Sequence, residues 1–87
     1  MSDTVEVEVT AREVDLLLEY VWATDKELKQ LQRCQGKPGF HRLTIDCFWL
    51  GGFMADLSHH SREVDDPRLA DEMDELFTVL ETAYTKC

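Results

Sequence analysis

The chain is short of positive charge: nine Lys and Arg stand against eighteen Asp and Glu, a formal net charge of −9. Contact with nucleic-acid phosphates needs basic surface, so direct binding to nucleic acid is not expected. An acidic protein instead attracts a basic partner, or competes for a surface that normally holds nucleic acid, although solubility alone is the ordinary reason for such charge. Long apolar runs are missing too. The longest nearly uncharged stretch, Cys47 to Ala55, is about half of what crosses a bilayer, so no membrane association is expected. The opening Met-Ser-Asp-Thr lacks a basic region leading into an apolar one, so no signal peptide is expected and the cytoplasm is the default location.

Cysteine is sparse and badly spaced for chemistry. Cys34, Cys47 and Cys87 form no C-x-x-C pair, which removes the usual zinc and thioredoxin-like patterns. Reduced thiols fit a cytosolic chain; a Cys34–Cys47 bridge is the pairing a helical hairpin would allow. No H-E-x-x-H, phosphate-cradling glycine loop or G-x-S-x-G elbow occurs. Cys34 and His41 lie seven residues apart without a local signature of a nucleophile–base pair. The expectation is therefore a non-enzymatic protein with no catalytic residue and no cofactor.

What is present reads as one ordinary globular domain over residues 1–87, with 44% hydrophobic and 31% charged residues. Val5, Val7 and Val9 alternate with Glu6 and Glu8, the pattern of a half-buried strand over Thr4–Thr10. Thr10-Ala11-Arg12-Glu13 matches the capping box that opens a helix. A helix over 11–33 would carry Val14, Leu17, Leu18, Val21, Leu28 and Leu31 on one face. A second box, Thr24 to Glu27, marks a break or kink, but one long helix is the preferred reading. Gln35-Gly36-Lys37-Pro38-Gly39 is the clearest turn.

Leu43, Cys47, Leu50, Met54 and Leu57 step by four and three, a helical stripe that predicts a helix over 41–60. Leu43, Ile45 and Cys47 also alternate as a strand would, but the longer helical period outweighs them. Gly51 and Gly52 would cost this helix about 1 kcal/mol each relative to alanine, tolerable if another helix packs close against them. Asp66-Pro67 reads as N-cap and first helical residue, and Leu69, Met73, Leu76, Leu80 and Ala83 predict a helix over 67–85. The expected fold is thus mainly α: one short N-terminal strand followed by three antiparallel helices, a small helical bundle expected to be dimeric.

The second face of the middle segment carries the functional expectation. Arg42, Asp46, Trp49, Phe53, Asp56 and His60 share helical spacing, with Trp49 and Phe53 between charged ends, as in an interface with an apolar anchor and a polar rim. Tyr20 and Trp22 join them as aromatic anchors, and Asp46 and Asp56 as rim. The ordinary alternative is that the chain's own strand or first helix covers this face. The lone strand points the same way, since its unpaired edge needs a neighbour: a second copy, or a short extended piece near Phe40. Asp71, Glu72, Asp74 and Glu75 form an acidic helix start, either a solvated face that complements the helix dipole or a docking face for a basic protein. The resulting expectation is a small acidic interaction module, a homodimer that binds or inhibits a protein partner. The competing reading is a metal- or small-ligand-binding protein using His59 and His60. That signal is weak, because adjacent side chains on a helix point about 100° apart.

Overall fold

The structure, a computed structural model, describes residues 3–87. The order of elements is β1 (Thr4–Thr10), α1 (Ala11–Tyr20), α2 (Asp25–Cys34), β2 (Phe40–Asp46), α3 (Cys47–Ser61) and α4 (Pro67–Tyr84). This corrects the expected fold class. Four helices accompany a two-stranded antiparallel sheet, in place of one strand and three helices. No helix among the described residues is long and apolar enough to cross a membrane.

The expected helix over 11–33 is two helices. The second capping box marks the break: α1 ends at Tyr20, Val21 is extended, and Thr24 precedes α2, its carbonyl accepting from the Leu28 amide at 2.7 Å. The expected helix over 41–60 is a strand followed by a helix. Its first residues pair with β1, Val7 opposite Leu43 and Val5 opposite Ile45. Asp46 ends β2 and caps α3, its carboxylate accepting from the Phe48 amide at 2.9 Å. The alternation of Leu43 and Ile45 was therefore the true signal. The apparent helical step from Leu43 to Cys47 is a coincidence of two periods meeting at the element boundary. α4 begins where Asp66 and Pro67 place it, with the Asp66 carboxylate accepting from the Arg68 amide at 3.0 Å.

Val5, Val7, Val9, Leu43 and Ile45 point from the sheet into one core with Val14, Leu16 and Leu17 of α1, Leu31 of α2, Leu50, Phe53 and Leu57 of α3, and Met73, Leu76 and Leu80 of α4. Glu6, Glu8 and Arg42 point the other way and are exposed, so the sheet has one helix-covered and one wet face. The inward side of α3 lies between the two stripes seen in the sequence, taking Leu50 and Leu57 from one and Phe53 from the other.

This packing removes the argument for self-association. Self-association was expected because Trp49, Phe53 and the valines would otherwise lack cover within one chain. Phe53 is 1% exposed, Val9 is fully buried, and β1 has β2 as its strand partner. The dimeric arrangement expected from sequence is withdrawn.

The cysteine expectation also changes. Cys47, the first residue of α3, is bonded to Cys87, forty residues on, while Cys34 is a free, half-buried thiol. Antiparallel packing of α4 on α3 brings the end of the chain back to the start of α3, with the two Cα atoms 6.0 Å apart. The glycines of α3 do not mark a close helix approach. A Cβ on Gly51 would meet only the Tyr84 ring, at 3.8 Å, and Gly52 faces open space.

Candidate interaction surface

The first half of α3 is apolar all round, because Cys47, Phe48 and Trp49 follow the capping Asp46 directly. Only one side can face the core. Phe48 is left 78% exposed and Trp49 half-buried, their rings meeting edge-on with centroids 5.2 Å apart. Asp56 lies seven residues beyond Trp49, two turns or about 10 Å along the same side of the helix. Its carboxylate accepts from the Trp22 backbone amide at 3.0 Å. That bond pins the α1–α2 linker against α3 and leaves the Trp22 side chain 80% exposed. Further along, the Tyr20 ring tilts against His60 at 5.4 Å. One side of α3 therefore carries Trp49, then Asp56 with Trp22, then His60 with Tyr20, while Phe48 lies about 100° round the helix and joins the row through its ring contact with Trp49.

The sequence-derived set divides on this structure. Tyr20, Trp22, Trp49 and Asp56 do come together along α3. Phe53 does not join them, being enclosed in the core. Asp46 is occupied in capping α3, and its amide donates to Glu27 at 3.3 Å. Phe48, absent from the expected set, is the most exposed residue of the stripe after Trp22; its position beside Trp49 was visible, but the face assigned to α3 was turned too far.

The acidic start of α4 is a separate surface. Asp71, Asp74 and Glu75 are exposed, whereas Glu72 is taken by Arg12, whose guanidinium donates to both carboxylate oxygens at 2.8 and 3.3 Å. That hydrogen bond holds the Glu72 carboxyl below the usual carboxylate range and raises Arg12 above its ordinary value. Asp74 shares a cleft of about 160 Å³ with Ser58 and Ser61 near the end of α3, far along that helix from Phe48. His59 and His60 face different neighbours: His59 meets Glu63 at 3.2 Å and His60 meets Tyr20, with the two imidazoles 5.6 Å apart. Among the described residues, no three His, Cys, Asp or Glu side chains converge as a metal would need. His41 is engaged with the Lys37 carbonyl at 2.8 Å.

One polar feature escaped the sequence reading. Glu27 is 3% exposed, accepting from the Asp46 amide and from the Thr24 hydroxyl at 2.7 Å. Gln30, one turn on, donates to the Thr44 carbonyl at 2.8 Å and accepts from the Thr44 amide at 2.9 Å. Both side chains serve the outer edge of β2. The Thr24–Glu27 box was the available signal, but a capping box is ordinarily satisfied within its own turn. Comparison of the chain with protein-family models, curated proteins and solved structures finds no match.

Proposed function

We propose that this chain is a small non-enzymatic interaction module that binds or inhibits a protein partner through the aromatic side of α3. The observation that carries the reading is the exposure of Trp22 and Phe48, each about four-fifths open to solvent, Phe48 on α3 and Trp22 on the linker that is bonded to it through Asp56. Large aromatic side chains supply much of the binding energy at protein interfaces and are costly to leave in water. Asp56 fixes the Trp22 backbone, so little conformational freedom remains to be lost there on binding. The separate acidic face of Asp71, Asp74 and Glu75 favours a partner with basic surface.

The test is capture from cell extract with the wild-type chain and with the double variant Trp22→Ala/Phe48→Ala. Both positions lie outside the core, so helix content should be unchanged by circular dichroism. A protein retained by the wild type and lost by the variant supports the reading; equal retention, or none by either, overturns it. A cytoplasmic home belongs to the same proposal, and it requires the Cys47–Cys87 bond to be open in the cell, since cytosolic thiols are kept reduced. Alkylation of protein taken directly from cells decides this: three reactive thiols agree with the cytoplasm, and Cys34 alone speaks against it.

A further inference from the structure

The two edges of the sheet are not equivalent, and the difference follows from register. The ladder is extended at both ends by backbone bonds: Ala11 donates to the Gly39 carbonyl at 3.2 Å, and Cys47 to the Asp3 carbonyl at 2.8 Å. Bonded pairs in an antiparallel ladder recur every second residue, so Val5, Val7 and Val9 exchange bonds with Ile45, Leu43 and His41. The amides and carbonyls of Glu6 and Glu8 therefore point away from β2. Among the described residues, no donor or acceptor meets those backbone groups. Glu6 and Glu8 line a groove of about 370 Å³ between β1 and α4, with Val7, Val79 and Ala83 as its apolar part and Thr78, Thr82 and Lys86 as the rest of its polar part.

We propose that this groove is a strand-addition site for an extended segment of a partner protein, one that alternates Lys or Arg with small apolar residues. A strand laid along β1 would exchange main-chain bonds with Glu6 and Glu8, as in other edge-strand recognition. Its side chains would alternate between the two faces of the sheet. One set would lie beside the exposed Glu6 and Glu8 carboxylates, where basic residues fit, competing at Glu6 with the loose, exposed Arg42 ion pair at 3.7 Å. The other would lie towards Val79 and Ala83, where small apolar residues fit. The same charges argue against a second copy: the antiparallel pairing of β1 with itself that overlaps the whole strand sets Glu6 opposite Glu8, acids against acids, which is destabilising. The site is distinct from the aromatic stripe of α3 and does not depend on it.

The test uses the full chain and a short, end-capped peptide of alternating lysine and valine. Nitrogen–proton spectra and amide exchange should show slowed exchange at the Glu6 and Glu8 amides, with the Thr44 and Asp46 amides unaffected. Methylating the peptide nitrogens that face β1 should abolish this protection. Glu6→Gln/Glu8→Gln should weaken binding about tenfold at low salt, the sum of two exposed charge pairs, with wild-type and variant affinities converging as salt is added. Trp22→Ala/Phe48→Ala should leave it unchanged. Equal binding of a glutamate–valine peptide, binding that survives nitrogen methylation, or no change at Glu6 and Glu8 would each overturn the proposal. So would protection of these amides in the chain alone, together with a dimer's mass by light scattering. If no peptide binds, the two acids serve only to keep the edge from aggregating.

Discussion

β1 and β2 are the two edges of one small sheet, and the chain treats them in opposite ways. On β2 the outward backbone groups of Thr44 and Asp46 are met by Gln30 and Glu27, so α2 takes the place of a third strand. On β1 the corresponding groups of Glu6 and Glu8 open into a groove whose far wall is α4. That wall is held at two places: Glu72 near its start is paired with Arg12 of α1, and Cys87 beyond its end is bonded to Cys47 of α3. A sealed edge needs side chains that mimic a strand. An open edge needs a neighbouring element kept in place at a distance. The contrast assigns a closed backbone edge to the β2 side and access to the β1 side.

The largest effect should come from loosening the open side. In the loop-entropy account, a bond closing forty residues contributes about 4 kcal/mol, a large share of what a small domain has in total. Reduction, or Cys47→Ser/Cys87→Ser, should lower the urea midpoint by a corresponding amount. Amide exchange should accelerate most near the end of α4, while the Thr44 and Asp46 amides keep their protection until global unfolding. Equal acceleration at both edges would mean that the two edges do not differ in this way.

Breaking the sealed side comes next. Glu27→Ala leaves the Asp46 amide and the Thr24 hydroxyl without their acceptor in a buried place, which should cost about 2 kcal/mol. Glu27→Gln keeps one acceptor oxygen and should recover part of the loss. Gln30→Ala should cost about 1 kcal/mol, because Gln30 is half-buried and water can replace part of what it provides. Gln30→Glu is the sharper variant. It retains an acceptor for the Thr44 amide but sets a carboxylate against the Thr44 carbonyl, so it should not restore stability. If Gln30→Glu is as stable as the wild type, the amide is not acting as a strand mimic.

These polar seals explain which parts of the fold were legible in the sequence. Signals confined to one element could be read: the alternating valines of β1, the Thr10–Glu13 box, and the Asp66-Pro67 start of α4 all act within a few residues. β2 was hidden because its two inward residues, Leu43 and Ile45, run into an apolar helix without a turn between them, and Asp46 serves as both the last strand residue and the helix cap. Glu27 and Gln30 look like the polar side of an ordinary helix. Their role appears only when β2, fourteen to nineteen residues away, is laid beside them. The aromatic side of α3 was half legible for a related reason. A helix apolar all round does not announce which side is buried, so Phe53 was placed outside and Phe48 overlooked.

The smallest effect concerns the other hold on α4. The hydrogen bond from Arg12 is the largest reason that Glu72 titrates below the usual carboxylate range; desolvation opposes it, and the charges of Arg12 and Arg68 add to it. The folded chain thus binds this proton less readily than the unfolded chain. Its contribution is complete above the unfolded carboxylate pKa and is lost as pH falls through the lower, folded value. Arg12 remains charged throughout that range. The pair is largely exposed, so its weight is slight and should fade with added salt. Arg12→Ala should therefore be slightly less stable than the wild type near neutral pH, and the difference should close in acid once Glu72 is protonated in both states. A difference that stays constant across pH would mean that Arg12 acts through packing of its aliphatic stem. The groove wall would then depend on Cys47–Cys87 and the α3–α4 packing alone, and the open edge would be more readily widened than the two-point hold implies.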